Sequence, residues 1–262
     1  MAEAGIRFSD GSAYDRMMGH WSRLVGEQFL DWLALKPGLA CVDVGCGNGA
    51  FTELLVARCS PRRVHGVDPS AQQVSFARGR HKAAVAEFQE GDAMALPFPA
   101  ESFDTALMAL VIFYLSKPEK GVAEMARVTR PGGVVAAYAW DFDGGGSPTA
   151  MFQAEFRAFG IEVLRPPSTE ASRLDSLRAL WQSAGLDAVE TREITVQRTF
   201  VDFEDYWAIT TAGETIAPPL AQMPGPEVNR LKERLRAKLA PDAGGSVTAS
   251  ARANAVKGRL PK

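Results

Sequence analysis

The chain reads as an α/β protein built around a mostly parallel sheet, and three observations predict that fold. Val42-Asp43-Val44 runs into Gly45-Cys46-Gly47-Asn48-Gly49 and then into an apolar stretch at helical spacing over 50–57. A strand, a glycine turn and a helix in that order build a ligand cradle at the carboxyl end of the strand. Later β-type runs end in an acid in the same way, at Val67-Asp68 and at Gly91-Asp92. Helical patterns separate several of these runs, the arrangement that places parallel strands side by side.

The elements follow in chain order. Residues 12–34 form an amphipathic helix, because Tyr14, Met17, Met18, Trp21, Leu24, Val25, Phe29 and Trp32 recur on one face; Lys36-Pro37-Gly38 stops it. The first strand is 41–44, the second 63–68 and the third 86–89. An apolar fourth strand spans 105–112, and a helix covers 117–129. Pro131-Gly132-Gly133 turns into a fifth strand at 134–139, and Gly144-Gly145-Gly146-Ser147-Pro148 reads as a flexible hinge. Helices are expected at 150–159, 172–184, 203–211 and 226–239, with a sixth strand at 188–198. The final stretch, 246–257, alternates small and apolar residues and is expected as a seventh, antiparallel strand.

The glycine turn limits the ligand. A phosphate loop of the Walker type is excluded, since no Gly-Lys-Ser/Thr follows. Gly45-x-Gly47-x-x-Ala50 does satisfy the loose dinucleotide fingerprint, so an NAD(P)-dependent oxidoreductase remains an alternative. Two details oppose it. Gly49 comes one place too early, and Asp43 would put negative charge beside a pyrophosphate. An acid at that position suits a ligand with an ammonium group. Asp68 stands about twenty residues beyond the turn, where a carboxylate reaches a ribose diol. Asp92 closes the next strand, so three acids are expected along one sheet edge.

With these residues in place, the sequence resembles the class I S-adenosylmethionine-dependent methyltransferases. It is most similar to the small-molecule branch that includes ubiquinone- and menaquinone-biosynthesis enzymes (the type 11-like methyltransferases). The matching blocks are 43–49, Val67-Asp68-Pro69-Ser70, Gly91-Asp92-Ala93-Met94-Ala95-Leu96-Pro97-Phe98, Ser102-Phe103-Asp104-Thr105-Ala106 and 124–133. They cover about residues 40–140. The resemblance implies a Rossmann-like seven-stranded, mostly parallel sheet with helices on both faces, an antiparallel last strand and helical cap elements. It implies S-adenosyl-L-methionine as cofactor. Gly45, Gly47 and Gly49 would line its methionine part, with Asp43 facing the amino group. Asp68, with Pro69 beside it, would hold the ribose hydroxyls. Asp92 would accept from the adenine amine, next to Ala93 and Met94. Leu110 and Val111 would lie beside the sulfonium and adenosine. In related enzymes a residue from the segment before the core closes over the cofactor carboxylate, and Tyr14 and Arg23 are the candidates here.

Composition sets the outer limits. With 262 residues, 46% of them hydrophobic, the chain can bury a full core. A net charge of −2 offers no global attraction to nucleic acid. No apolar run approaches membrane-spanning length and no signal-peptide pattern opens the chain, so a cytoplasmic protein without a membrane partner is expected. Three cysteines without a CxxC pair fit a reducing compartment, and the scattered histidines suggest no metal centre. The expected organisation is one methyltransferase domain over 1–262. Within it, 1–37 is an N-terminal cap and 38–142 the cofactor-binding core. Residues 143–171 and 200–244 are substrate-side insertions, while 172–199 and 245–262 complete the sheet.

Specificity is expected from segments outside the core, which carry Trp21, Phe142, Phe152, Phe156, Tyr206, Trp207 and Met223. If they face the methyl group, the acceptor is a small hydrophobic or aromatic metabolite. Displacement at a sulfonium needs alignment and exclusion of water more than acid–base chemistry. His20 and Asp141 are the candidate general bases, should the acceptor have to lose a proton. A third alternative is a non-catalytic nucleoside-cofactor-binding protein.

Overall fold

The computed structural model describes residues 15–80, 85–213 and 215–262; Tyr14 and the expected start of the first helix lie outside them. Seven strands form one sheet: β1 (Ala40–Val44), β2 (Arg63–Asp68), β3 (Ala86–Glu90), β4 (Phe103–Ala109), β5 (Thr129–Trp140), β6 (Asp187–Phe200) and β7 (Val247–Arg259). Their order is β3-β2-β1-β4-β5-β7-β6. The pairs from β3 through β5 are parallel, and β7 runs antiparallel to both β5 and β6. This is the Rossmann-like, mostly parallel sheet. β1, buried at all five positions, is a central strand and reads as an unbroken apolar run interrupted only by Asp43.

Helices cover the sheet: α1 (His20–Leu33), α2 (Ala50–Cys59), α3 (Ala71–Arg80), α4 (Pro118–Val128), α5 (Ala150–Ala158), α6 (Leu174–Ser183), α7 (Phe203–Thr211), α8 (Ala217–Ala221) and α9 (Gly225–Lys238). A single π-helical turn, Asp15–Gly19, leads into α1. α1 packs on α2 while α6 packs on α4. The α1–α2 contact is close because Gly26 presents no side chain: a Cβ there would sit 2.8 Å from Leu54 Cδ2. Aromatic rings fill the layer beneath it, with the Phe29 and Tyr138 centroids 4.8 Å apart and Phe51 against Tyr138 at 5.8 Å. Around the sheet's far end, the buried Trp181 donates its indole N–H to the Val135 carbonyl at 2.8 Å, which fixes α6 to β5.

Two expectations are corrected, and two helices are added. The fourth strand ends at Ala109 rather than 112, because Leu110 adopts φ +61° and Ile112–Tyr114 closes into a 3-10 turn. The glycines of 144–146 form no free hinge. Gly146 N–H donates to Asp141 O at 2.7 Å, and Arg252 N–H donates to Gly146 O at 2.8 Å, so the turn is stitched onto β7. Helices α3 and α8 carry no clear apolar period, and sequence reading passed over both.

Phe29 joins α1 to the sheet and is fully buried. Phe29→Ala should therefore lower the unfolding free energy by about 3–5 kcal/mol, the usual range for deleting a buried ring. Urea denaturation followed by far-UV circular dichroism checks it; a loss below about 1 kcal/mol would show that α1 does not depend on this contact.

Candidate functional site

The glycine turn is hooked to the neighbouring strand. Gly45 N–H and Cys46 N–H both donate to the Val67 carbonyl, at 2.7 and 3.0 Å. Gly45 has φ +75°, and a Cβ on it would lie 2.4 Å from Val111 Cγ2, so Val111 closes over it. Gly47 differs. At φ +51° an added Cβ would meet nothing within 4 Å, which means that this part of the backbone borders open space. Its N–H donates to Asp68 Oδ2 at 2.9 Å. Gly49, at φ +82°, starts α2 and donates to the Cys46 carbonyl at 2.9 Å.

The three acids occupy one rim. β3, β2 and β1 are adjacent and parallel, and each acid lies at or near its strand's carboxyl end. Asp43 is completely buried. Thr52, in the first turn of α2, donates its hydroxyl to Asp43 Oδ2 at 2.6 Å, while Oδ1 is buried without a hydrogen-bond partner. Burial pushes the Asp43 carboxyl up to about 7; the Thr52 hydrogen bond opposes that rise and the nearby Asp68 adds to it. Asp68 is half-buried and accepts from Gly47 N–H and, at 2.9 Å, from Ser70 N–H. Burial raises its pKa, and these two backbone donors hold it back. Asp92 is exposed, and its Oδ1 accepts from Met94 N–H at 2.8 Å in a tight turn. Ala93 is buried beneath that turn, and Pro69 is exposed beside Asp68.

Beyond the rim an open cavity of about 730 Å³, mouth included, is lined by Met17, Met18, Leu110, Phe113, Trp140 and Phe142, with Ser147, Thr149 and Gln153 as polar wall. Leu110 lines this cavity while the adjacent Val111 packs over Gly45, so two consecutive residues link the cavity to the glycine turn. The chain takes a left-handed conformation at Leu110, unusual for a bulky residue, where it passes from one to the other. Its N–H is anchored on the Tyr138 carbonyl at 2.8 Å.

Several expected positions lie elsewhere. Asp141 is 7% exposed, and Arg252 Nε donates to its Oδ2 at 2.8 Å while Gly144 N–H donates to Oδ1 at 3.0 Å. An ion-paired carboxylate with both oxygens engaged is not a free base. His20 is exposed and is not among the residues lining the cavity. Partial burial and the nearby Arg198 and Arg23 keep its imidazole pKa below the ordinary value. Arg23 is exposed and pairs with Glu27 at 3.1 Å, one helical turn on. Of the aromatic and Met candidates, Phe142 lines the cavity, whereas Trp21, Phe152, Phe156, Tyr206 and Met223 are core residues and Trp207 stacks on Phe152. Sequence reasoning missed Thr52, whose signal was a threonine on the apolar face of the cradle helix. It also missed Ser147, Thr149 and Gln153, whose contacts depend on the folding of the 141–153 segment.

An unpaired, buried carboxylate oxygen calls for a donor or a cation from a ligand. The open space at Gly47 and the remaining lone pairs of Asp68 and Asp92 fit a ligand with an amino group, a diol and an adenine-like edge. Comparison with known proteins agrees. Residues 42–137 match the model of a methyltransferase domain. Over 124 residues it is 37% identical to 2-methyl-6-phytyl-1,4-hydroquinone methyltransferase 2, chloroplastic, of Oryza sativa subsp. japonica, a match covering 46% of this chain and 36% of the relative. It is 36% identical over 107 residues to demethylmenaquinone methyltransferase of Desulfitobacterium hafniense, covering 39% and 42%. These matches thus span well under half the length of the curated relatives. The structure of Haemonchus contortus phosphoethanolamine N-methyltransferase 2 with phosphomonomethylethanolamine and S-adenosylhomocysteine superposes with a TM-score of 0.61. At 19% identity, covering 96% of this chain and 57% of that one, it has the same fold.

The Asp43 carboxyl sets a pH dependence. Its folded pKa of about 7 lies above the ordinary 3.8, so the neutral form is favoured in the fold. The associated stability is complete below about pH 4 and is lost as pH rises through about 7. Urea titrations of wild type and Asp43→Asn across pH 4–8 should show the wild type losing stability relative to the variant up to about pH 7 and then levelling. Parallel pH profiles for the two proteins would contradict this.

Proposed function

We propose that the protein transfers a methyl group from S-adenosylmethionine to a small hydrophobic or aromatic metabolite by in-line displacement. The observation that carries this reading is the link between the glycine turn and the apolar cavity, made by the consecutive residues Val111, over Gly45, and Leu110, in the cavity lining. A ligand held along the rim would present its reactive centre to whatever fills the cavity. S-adenosylmethionine supplies a methyl group on a sulfonium sulfur, with a neutral thioether as leaving group.

The remaining work belongs to the chain. Asp43 would accept from the amino group through its unpaired oxygen, and the Gly45–Gly49 turn would border the methionine part. Asp68 would hold the ribose hydroxyls with the lone pairs left by Gly47 and Ser70. Asp92, Ala93 and Met94 would meet the adenine, flanked by Pro69. Leu110, Val111 and the aromatic cavity wall would exclude water and align the acceptor. No base role is proposed for His20 or Asp141, because one is outside the cavity and the other is ion-paired.

The match to hydroquinone- and menaquinone-type methyltransferases supports an acceptor with an extended apolar frame. Three free cysteines, Cys41, Cys46 and Cys59, support a reducing, cytoplasmic setting. Among the described residues no helix is long and apolar enough to cross a membrane. The near-balanced charge supports a small-molecule partner over nucleic acid. One domain spanning the chain, with 1–37, 143–171 and 200–244 around the core, completes the proposal.

Isothermal titration with S-adenosylmethionine, S-adenosylhomocysteine and NADH tests the cofactor. Both sulfur ligands should bind and NADH should not. Gly47→Ala, whose methyl enters the open space, should weaken their binding about tenfold or more. NADH binding with no response to the sulfur ligands would defeat the proposal.

A further inference from the structure

We infer that Ser147, Thr149 and Gln153 form a neutral hydrogen-bond-donating patch that selects acceptor molecules carrying a carbonyl-type oxygen on an otherwise apolar frame. The inference rests on the cavity's being the methyl-acceptor site. All three residues line it, and the two hydroxyl-bearing residues are buried, at 5% and 2% exposure for Ser147 and Thr149. Thr149 Oγ1 accepts from Gln153 Nε2 at 3.0 Å and lies 3.1 Å from Ser147 Oγ. The Thr149 backbone N–H points at Ser147 Oγ, at 3.4 Å.

The hydrogen count decides what this patch offers. Two hydroxyls bring two hydrogens, and the bond between them uses one. Gln153 already donates into the pair, so neither hydroxyl spends its hydrogen on the amide. Whichever of the two donates to the other, one hydroxyl hydrogen is left for the cavity. A buried donor left unmatched costs about 1–3 kcal/mol, so a ligand that supplies an acceptor there is favoured over one that does not.

The surroundings narrow the acceptor further. Among the described residues, none of the side chains lining this cavity carries a formal charge. An ionised carboxylate or ammonium group taken into it would lose its hydration without gaining a counter-charge. A neutral oxygen loses little and gains the spare hydroxyl. The donor's position is also fixed. Asp141 holds Gly144 N–H and Arg252, and Arg252 N–H holds Gly146 O, immediately before Ser147. Asp141 is thus a positioning residue for the hydroxyl pair, which explains why a buried acid stands at the end of β5.

A matched pair of probes reads this directly: 2-acetylnaphthalene and 2-ethylnaphthalene, which share a frame and differ in the carbonyl. Titrated into the full chain with saturating S-adenosylhomocysteine, the ketone should bind about tenfold more tightly than the hydrocarbon. The Ser147→Ala/Thr149→Val double variant should lose that preference while keeping its affinity for 2-ethylnaphthalene, which also shows that the variant is folded. Thr149→Ser should keep the preference. Equal binding of both probes by wild type, or a preference that survives in the double variant, would overturn the assignment while leaving the apolar acceptor site intact. Failure of both probes to bind would overturn the acceptor-site reading itself.

Discussion

The architecture turns on a carboxylate sealed inside the protein. Asp43 interrupts an otherwise apolar central strand, is wholly buried, and has only the Thr52 hydroxyl as partner. Replacing it with an apolar residue would make β1 a better core strand, so packing does not account for it. A buried acid with one unanswered oxygen is tolerable because it can hold a proton near neutral pH, and it is useful because a cationic ligand can take that proton's place. The hydrogen bonds from Gly45 and Cys46 to Val67 and from Gly47 to Asp68 then fix the rim around it with the chain's own backbone.

Two devices join that rim to the acceptor side. One is the left-handed Leu110, after which β4 has ended and consecutive side chains meet the cavity and Gly45. The other is the Asp141–Arg252 pair, which ties the triple-glycine turn to β7 and so holds Ser147 at the cavity wall. Both sit immediately after strands β4 and β5, at the same edge as the acids, where parallel-sheet proteins concentrate their ligand contacts. Elsewhere charged groups do structural work. Asp104 accepts from the Ala40 N–H and pairs with Arg62 and Arg130, which ties the start of β1 to β4 and β5.

The fold was legible because its signals are local. Strands β1, β2 and β3 carry acids at or near their ends that the chain displays in order, and helix α7 begins at Phe203 behind the capping Asp202, which accepts from Asp205 N–H. The acidic rim was legible for the same reason. What escaped depends on contacts between residues far apart in sequence. The place of Asp141 after the fifth strand suggests a base, but Arg252, more than a hundred positions later, pairs with it. The glycines at 144–146 suggest freedom by composition, yet β7 removes it. Phe152, Phe156 and Tyr206 have the period of a pocket wall and of a core alike, and burial places them in the core.

The most direct test of the account is the ionisation of Asp43, followed by the carboxyl carbon resonance of aspartate-labelled protein. Without ligand the resonance should titrate at about 7. With saturating S-adenosylhomocysteine, whose amino group would supply the missing partner, the midpoint should fall by a unit or more, an order-of-magnitude expectation for a carboxylate gaining an opposite charge. A midpoint that ligand binding leaves unchanged would contradict the claim that Asp43 answers the cofactor's amino group.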